Sequence, residues 1–463
     1  MLKTETYRER RSKLRAALKD GVVLWLGNAL QPRTYPANTY PFRQNSHFLY
    51  YAGLSDPDLA VLSWVQEERD VLFATPLTID DIIWDGPLPT GEERAVRAGI
   101  AETAPLADLA STLEDLRGKG VTVHYVAPFQ ADAIARMAGL LGMEPSAVAG
   151  GESLPLKRTV VDHRLHKSEE EVAEIEDALE VTSRMYSAAM GVTRPGLLEM
   201  QVAGAMQGVA LASDRRQCFE PIVTVRGQIL HNETYGGTLE EGQLLMMDSG
   251  AESPSGYASD ITRVAPVSGA FTAKQRDIYD IVHAMQAGAI KAARPGITNL
   301  ELHLGAARTC ARGLVDLGLM RGDPDAAVEA GAHAMFFPHG LGHVMGLDVH
   351  DMEDLGDIVG YGEGVERSTQ FGLGFLRMAR ELEPGYVFTV EPGIYFVPAL
   401  IDKWRSGGLH ADFIVYDRVE EFRTFGGIRI EDDILVTQDG HRILGPHIPR
   451  TADEVEAATG SLA

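Results

Sequence analysis

Cysteine is scarce in this chain. Cys218 and Cys310 are the only two in 463 residues, too few for a disulfide framework, and both lie in helix-like or apolar stretches that suit reduced core thiols. Positive charge is short as well. Against 66 Asp and Glu there are 42 Lys and Arg, a formal charge of −24, which argues against nucleic-acid or anionic-membrane partners, because such binding runs on Lys and Arg. Long apolar runs are missing: the first, GVVLWLG at 21–27, falls far below the ~18 residues a membrane span needs. No secretory signal is visible, and Glu5, Glu9 and Asp20 argue against a mitochondrial presequence, so a cytoplasmic protein is expected. The N-terminal part carries neither a GxGxxG nor a Walker A pattern. What remains is ordinary for a soluble globular protein of two or three domains, with 45% hydrophobic and 23% charged residues.

Residues 1–155 alternate helix and strand signals. A helix over 6–19 precedes the strand Val22–Leu26, with further strands at Ala60–Trp64, Asp70–Ala74 and Val121–Val126 and a helical stretch near 106–117. This describes a small α/β domain with a mixed sheet, followed by a linker over 156–167. Ser168 and Glu171 then form a capping box ahead of a long helix striped by Val172, Ile175, Leu179 and Tyr186. Thr272 and Gln275 open a second such helix, carrying Ile278, Tyr279, Val282 and Met285. Each helix runs into the same tripeptide, Arg194-Pro195-Gly196 and Arg294-Pro295-Gly296, and each tripeptide is followed by another helix-like stretch. The pattern predicts an internal duplication over 168–463, each half ending in strand-rich sequence that carries acids.

Those acids set the functional reading. Leu244–Ala251 and Tyr257–Val264 read as two strands of a hairpin turning about Pro254, which would place Asp248 opposite Asp260. Glu391 closes the apolar strand Val387–Val390; it is a ligand or the partner of Arg429. In the strand 428–434, alternation puts Arg429, Glu431 and Asp433 on one face. His339 and His343 lie in the glycine-rich segment PHGLGH, which is not an HExxH zinc helix; His333 reads as structural. Solvated hairpin acids and a satisfied core histidine are the plain alternatives. Yet four carboxylates and an imidazole in apolar contexts cost several kcal/mol per unpaired charge. Divalent cations would turn that cost into a binding site, and the oxygen-rich set favours Mn²⁺ over a closed structural zinc site.

The five contexts MMDSG, YASDITR, HGLGHVMGLDVHD, TVEPGIY and GIRIEDDI resemble those of the creatinase/methionine-aminopeptidase "pita-bread" fold, in the branch of Xaa-Pro peptidases (aminopeptidase P and prolidase). The resemblance covers about 166–450, and FRQNSHFLYYAGL at 42–54 is similar to the aminopeptidase P N-terminal domain. The fold it implies is α/β (α+β), a mixed N-terminal domain followed by a pita-bread domain with pseudo-twofold duplication.

The resemblance further implies two Mn²⁺ per chain, with Co²⁺ or Zn²⁺ able to substitute. One is held by His343 and Glu391, the other by Asp248, with Asp260 and Glu431 bridging; Glu391 takes up the proton of an attacking water. His231, His339 and His350 match substrate-side histidines that hydrogen-bond the carbonyl and shape a proline pocket. Arg429 matches an arginine that steadies the bridging-glutamate strand. Trp84, in IIWDGP, resembles a tryptophan lent to a neighbouring subunit's site in tetrameric relatives, which implies a homodimer or homotetramer.

Two departures stand out. The aspartates lie one residue further apart than in common bacterial aminopeptidases P, and 351–380 is a long insertion ending in Leu376-Arg377-Met378-Ala379-Arg380, where prolidases place an arginine that binds the proline carboxylate. The expected activity is therefore an Xaa-Pro aminopeptidase acting on proline-containing peptides, with an Xaa-Pro dipeptidase as the close alternative. A non-catalytic pita-bread binding module and a creatinase-like amidinohydrolase are remote ones.

Overall fold

The computed structural model describes residues 2–462, in two compact units divided between Arg164 and Leu165. The first unit is built on a five-stranded mixed sheet in the order β4-β3-β2-β1-β5, where β1 is Val22–Leu26, β2 Leu59–Trp64, β3 Arg69–Ala74, β4 Glu102–Pro105 and β5 Val123–His124. Its inward residues Val22, Leu24, Leu62 and Phe73 pack with Leu113 and Met137 from the covering helices. The strand expected over 121–126 shrinks to two residues. Val121 N–H is taken by the carbonyl of Leu116 at the end of the preceding helix, and the Tyr125 carbonyl accepts from Ser153 N–H, so only Val123 and His124 pair with β1.

The linker expected over 156–167 is mostly helix, Leu154–Leu165. Leu156, Val160 and Val161 are buried, so this stretch carries an apolar face that a free connector would not need.

In the second unit the duplication is visible in its hydrogen bonds. Helix Glu169–Val192 opens on the reciprocal Ser168–Glu171 box and helix Ala273–Ala292 on Thr272–Gln275. Each is followed by a left-handed glycine, Gly196 at φ +89° and Gly296 at φ +83°, and by a second helix, Glu199–Ala212 and Asn299–Asp316. Gly196 N–H donates to the Leu239 carbonyl and Gly296 N–H to that of Leu382; Glu199 N–H donates to Gly237 and Asn299 N–H to Arg380. The same turn is thus made twice on two different stretches of chain.

The helices cover short antiparallel sheets. β6 (Ile222–Thr224), β7 (Leu244–Ser249) and β8 (Ile261–Pro266) form one; β9 (Val387–Val390), β12 (Asp432–Val436) and β13 (His441–Ile443) form another in the order β13-β12-β9; β10 (Gly393–Tyr395) pairs with β11 (Gly427–Arg429). Two expectations need correction. Asp248 faces Thr262 rather than Asp260, because the hairpin turns about Ser255: Ser253 N–H donates to the Tyr257 carbonyl, and Glu252 pairs with Ala258. Beyond Ser249 the two strands approach so closely that a Cβ on Gly250 would lie 1.7 Å from the Ser259 carbonyl oxygen. The strand expected over 428–434 is also interrupted between β11 and β12, since Glu431 N–H donates across to Thr262 of β8 at 3.1 Å.

Candidate metal centre

Three carboxylate- and imidazole-bearing side chains converge where the two halves of the duplication meet. Asp260, His343 and Glu431 are buried, and each offers a ligand atom within 4.8 Å of the others. The half before Ala273 supplies Asp260 from the residue ahead of β8; the later half supplies His343 from a glycine-rich loop and Glu431 from the break between β11 and β12. Glu391, just past β9, brings Oε1 to 3.6 Å from His343 Nε2, and Asp260 Oδ2 lies 3.4 Å from the same nitrogen. Asp248 lines the same cavity as these four. The structure therefore brings all five expected residues to one place, three of them tightly clustered.

Neighbouring groups orient the set. His343 Nδ1–H donates to the carbonyl of Val344 at 3.1 Å, which leaves Nε2 as a lone-pair donor toward the acids. Thr262 Oγ1–H donates to Glu431 Oε2 at 2.6 Å, and Thr389 contributes its hydroxyl to Glu391 Oε1 at 3.4 Å. Asp433 turns the same way, its Oδ2 accepting from Asp260 N–H at 3.0 Å. The expected common face of Arg429, Glu431 and Asp433 thus survives the break in the strand. The Arg429 guanidinium donates to Asp248 Oδ2, to Thr262 Oγ1 at 3.0 Å and to the Tyr395 hydroxyl at 3.0 Å. It pairs with Asp248, not with Glu391.

The electrostatics of this set fit a divalent cation. Burial first, then the neighbouring carboxylates, pushes Asp260 and Glu431 well above the usual carboxylate range. Burial raises Glu391 to about 7 and drives His343 well below its ordinary value. Asp248 Oδ1 and Asp260 Oδ1 are buried with no hydrogen-bond partner among the described residues. Buried acceptors left unpaired cost about 1–3 kcal/mol each or more. Oxygen donors with one imidazole are a donor set that divalent transition-metal ions accept.

Above the acids lies a cavity of about 710 Å³. His231, His339, His350, Arg377 and Arg429 all line it, beside the apolar Phe219, Ile222, Leu230, Phe371 and Phe375. His339 donates from Nδ1 to the Gly340 carbonyl at 2.8 Å and accepts at Nε2 from the Tyr395 hydroxyl at 2.9 Å; burial, then Arg429, lowers it to about 3. It is a neutral ring in a fixed tautomer. His231 is lowered as well, by burial and by Arg377. Trp84 belongs to the first unit, on helix Ile79–Asp85, with 83% of its surface exposed. Tyr395 and Thr262 escaped the sequence reading although both stand inside the quoted motifs. Their signal was spacing, since Thr262 shares a strand face with Asp260 and Tyr395 follows Glu391 by one short turn.

The fold and the buried acid cluster define a metallohydrolase of the pita-bread type. The profile of metallopeptidase family M24 matches residues 173–438, and that of the aminopeptidase P N-terminal domain matches residues 7–124. The chain belongs to metallopeptidase family M24. It is 31% identical to the Xaa-Pro aminopeptidase of Escherichia coli over 98% of this chain and 97% of that protein. It is 29% identical to the human Xaa-Pro dipeptidase over 95% and 89%. Solved structures of Escherichia coli aminopeptidase P, one in complex with substrate and one zinc-substituted with product, each superpose with a TM-score of 0.81 at 29% identity, covering 100% of this chain and 99% of theirs.

Proposed function

We propose that this chain is a cation-dependent peptidase that cleaves the bond between an N-terminal residue and a following proline. The observation that carries the reading is the buried cluster of Asp260, His343 and Glu431, flanked by Asp248 and Glu391, at the base of a peptide-sized cavity. Two Mn²⁺ ions per chain fit it best, with Co²⁺ or Zn²⁺ as substitutes: Asp248 would hold one, His343 and Glu391 the other, and Asp260 and Glu431 both. Such ions supply Lewis-acid chemistry, polarising a carbonyl and acidifying water.

The chain's own residues do the rest. Glu391 accepts the proton released as water attacks. His231 and His350 hold the scissile carbonyl, and His339, locked by Tyr395, forms the wall of the proline pocket. Arg429 orients Asp248. A non-catalytic binding module and a metal-free amidinohydrolase both leave the clustered acids without a purpose. Dialysis against a chelator is expected to abolish cleavage of an Xaa-Pro-Xaa peptide, and added Mn²⁺ to restore it; full activity in metal-free protein would sink the reading.

Two relatives at similar identity carry different names, so the subtype rests on the cavity. The aminopeptidase P N-terminal domain supports the aminopeptidase. Arg377 in the cavity lining, held only by its Nε edge, supports the dipeptidase, because a guanidinium can hold a proline carboxylate bidentately; Arg367 lines the same cavity but is committed to Asp357. On the dipeptidase reading, Arg377→Ala cuts kcat/KM on an Xaa-Pro dipeptide at least tenfold, about 1.4 kcal/mol, with little effect on an Xaa-Pro-Xaa tripeptide. Equal loss on both substrates, or none, leaves aminopeptidase as the better description.

A homodimer or homotetramer is the assembly we favour, supported by the exposed apolar helix Ile79–Asp85 that carries Trp84. A cytoplasmic location is supported by two free cysteines and by the fact that no described helix is long and apolar enough to cross a membrane.

A further inference from the structure

The turn after His350 is held with unusual firmness. Asp351 is pinned by Lys167, whose Nζ lies 3.1 Å from Oδ2 with both side chains buried. Met352, itself fully buried, has φ +60° and ψ 23°, a left-handed conformation that side-chain-bearing residues rarely adopt and that the packing around it must hold. The strain delivers Glu353 to the cavity as the first residue of a 3-10 turn, Glu353–Leu355. There its carboxylate accepts two donors at once. His350 Nδ1–H reaches Oε2 at 2.6 Å and Arg377 Nε–H reaches Oε1 at 3.1 Å.

Each contact leaves the useful end of its partner available. Arg377 is held by its Nε edge, and its terminal nitrogens take no protein acceptor among the described residues. His350, donating from Nδ1, keeps Nε2 for other work. The Glu353 carboxyl is held down at about 2, chiefly by the His350 hydrogen bond and then by Arg377, so it stays an ionised acceptor throughout the neutral range.

We propose that Glu353 is a positioning residue whose single carboxylate sets both His350 and Arg377, and that it thereby selects short peptides whose C-terminal carboxylate meets Arg377. The inference rests on the Xaa-Pro reading above and sharpens its subtype. Uncoupling Arg377 costs recognition of a carboxylate, read in KM; uncoupling His350 costs turnover, read in kcat.

The test compares Ala-Pro with Ala-Pro amide, which keeps the bulk and removes the carboxylate, in Mn²⁺-loaded protein. Glu353→Ala is expected to raise KM for Ala-Pro at least tenfold, to change KM for the amide less than threefold, and to lower kcat on both. The KM penalty should vanish when Arg377 is already alanine. Glu353→Gln, which keeps one acceptor oxygen, should recover part of the loss and carries the test if the alanine variant misfolds. An unchanged KM, an equal rise for acid and amide, additivity with Arg377→Ala, or a fall in KM for Ala-Pro (the sign that Glu353 merely blocks Arg377) overturns the inference while wild-type cleavage leaves the Xaa-Pro reading standing. Wild-type protein that cleaves neither Ala-Pro nor Ala-Pro-Ala overturns both.

Discussion

His303 and His333 lie fully buried beneath the cavity wall, their ring centroids 6.2 Å apart, and Phe337 stands against His303 at 4.9 Å. Burial, then the neighbouring His333 and His339, lowers His303 to about 3; burial, then His410, lowers His333 to about 4. The sign of the linkage follows. Below the unfolded value near 6.5 the unfolded chain takes up protons that the folded chain refuses. Their contribution is therefore complete above pH 6.5 and is lost as the pH falls toward 3–4, on the order of 5 kcal/mol for His303 and 3 kcal/mol for His333. The melting temperature should decline across that window, and His303→Phe, which keeps an aromatic ring beside Phe337, should flatten the decline relative to wild type. An unchanged slope would mean that this imidazole titrates freely in the fold. At this scale the sequence was most legible where a residue type is improbable in its context: Asp248 after four apolar residues, Glu391 at the end of a buried strand, His343 between glycines. Glu353 was illegible for the opposite reason. An acid in an acidic, turn-rich insertion is common, and only the left-handed Met352 beside it shows where it points.

Elements were legible where their signals are local. The reciprocal caps at Ser168 and Thr272 and the two Arg-Pro-Gly breaks are set by neighbours a few residues away. The hairpin register is not, and the reading erred there, because a proline in the turn looks like its centre while the left-handed Gly256 at φ +85° shifts the centre to Ser255. Two glycines close the site at the same scale. A Cβ on Gly342 would come within 1.9 Å of the Thr389 carbonyl oxygen, as one on Gly250 would meet Ser259, so each lets a segment that carries one of the clustered side chains lie directly against a neighbouring backbone. Helix Ile79–Asp85 behaves differently. It is capped well by the reciprocal Thr78–Asp81 box, yet it buries nothing, and Ile79, Ile83 and Trp84 are 68%, 67% and 83% exposed. An apolar helix with no buried side is an interaction surface or a liability. Light scattering should show a dimer or tetramer, and Trp84→Glu should shift it toward the 50.3 kDa monomer; a wild-type monomer would remove any intersubunit role for Trp84.

At the scale of the molecule, the duplication explains why an acid cluster can exist at all. Two similar helix pairs support two sheets whose inner ends meet, so Asp248 and Asp260 come from one half and His343, Glu391 and Glu431 from the other. Neither half alone assembles the set. In metal-free protein the buried carboxylates repel one another and are driven toward their protonated forms, a cost met by the packing of both halves. A divalent cation would reverse the sign of that term, and because the clustered side chains are far apart in the unfolded chain, it would bind the folded state preferentially. Stabilisation then grows as RT ln(1 + [L]/Kd), about 2.7 kcal/mol at a hundredfold excess over Kd. For a unit of this size that corresponds to a rise of several degrees in melting temperature. Mn²⁺ should produce that rise in wild-type protein. Asp260→Asn should weaken it while leaving the metal-free melt at least as high as wild type, since a neutral amide, unlike Asp260, needs no protonation to sit among the buried acids. Melting that is indifferent to saturating Mn²⁺ in wild type would mean that the clustered acids are held by the protein alone, and the metal centre would have to be abandoned.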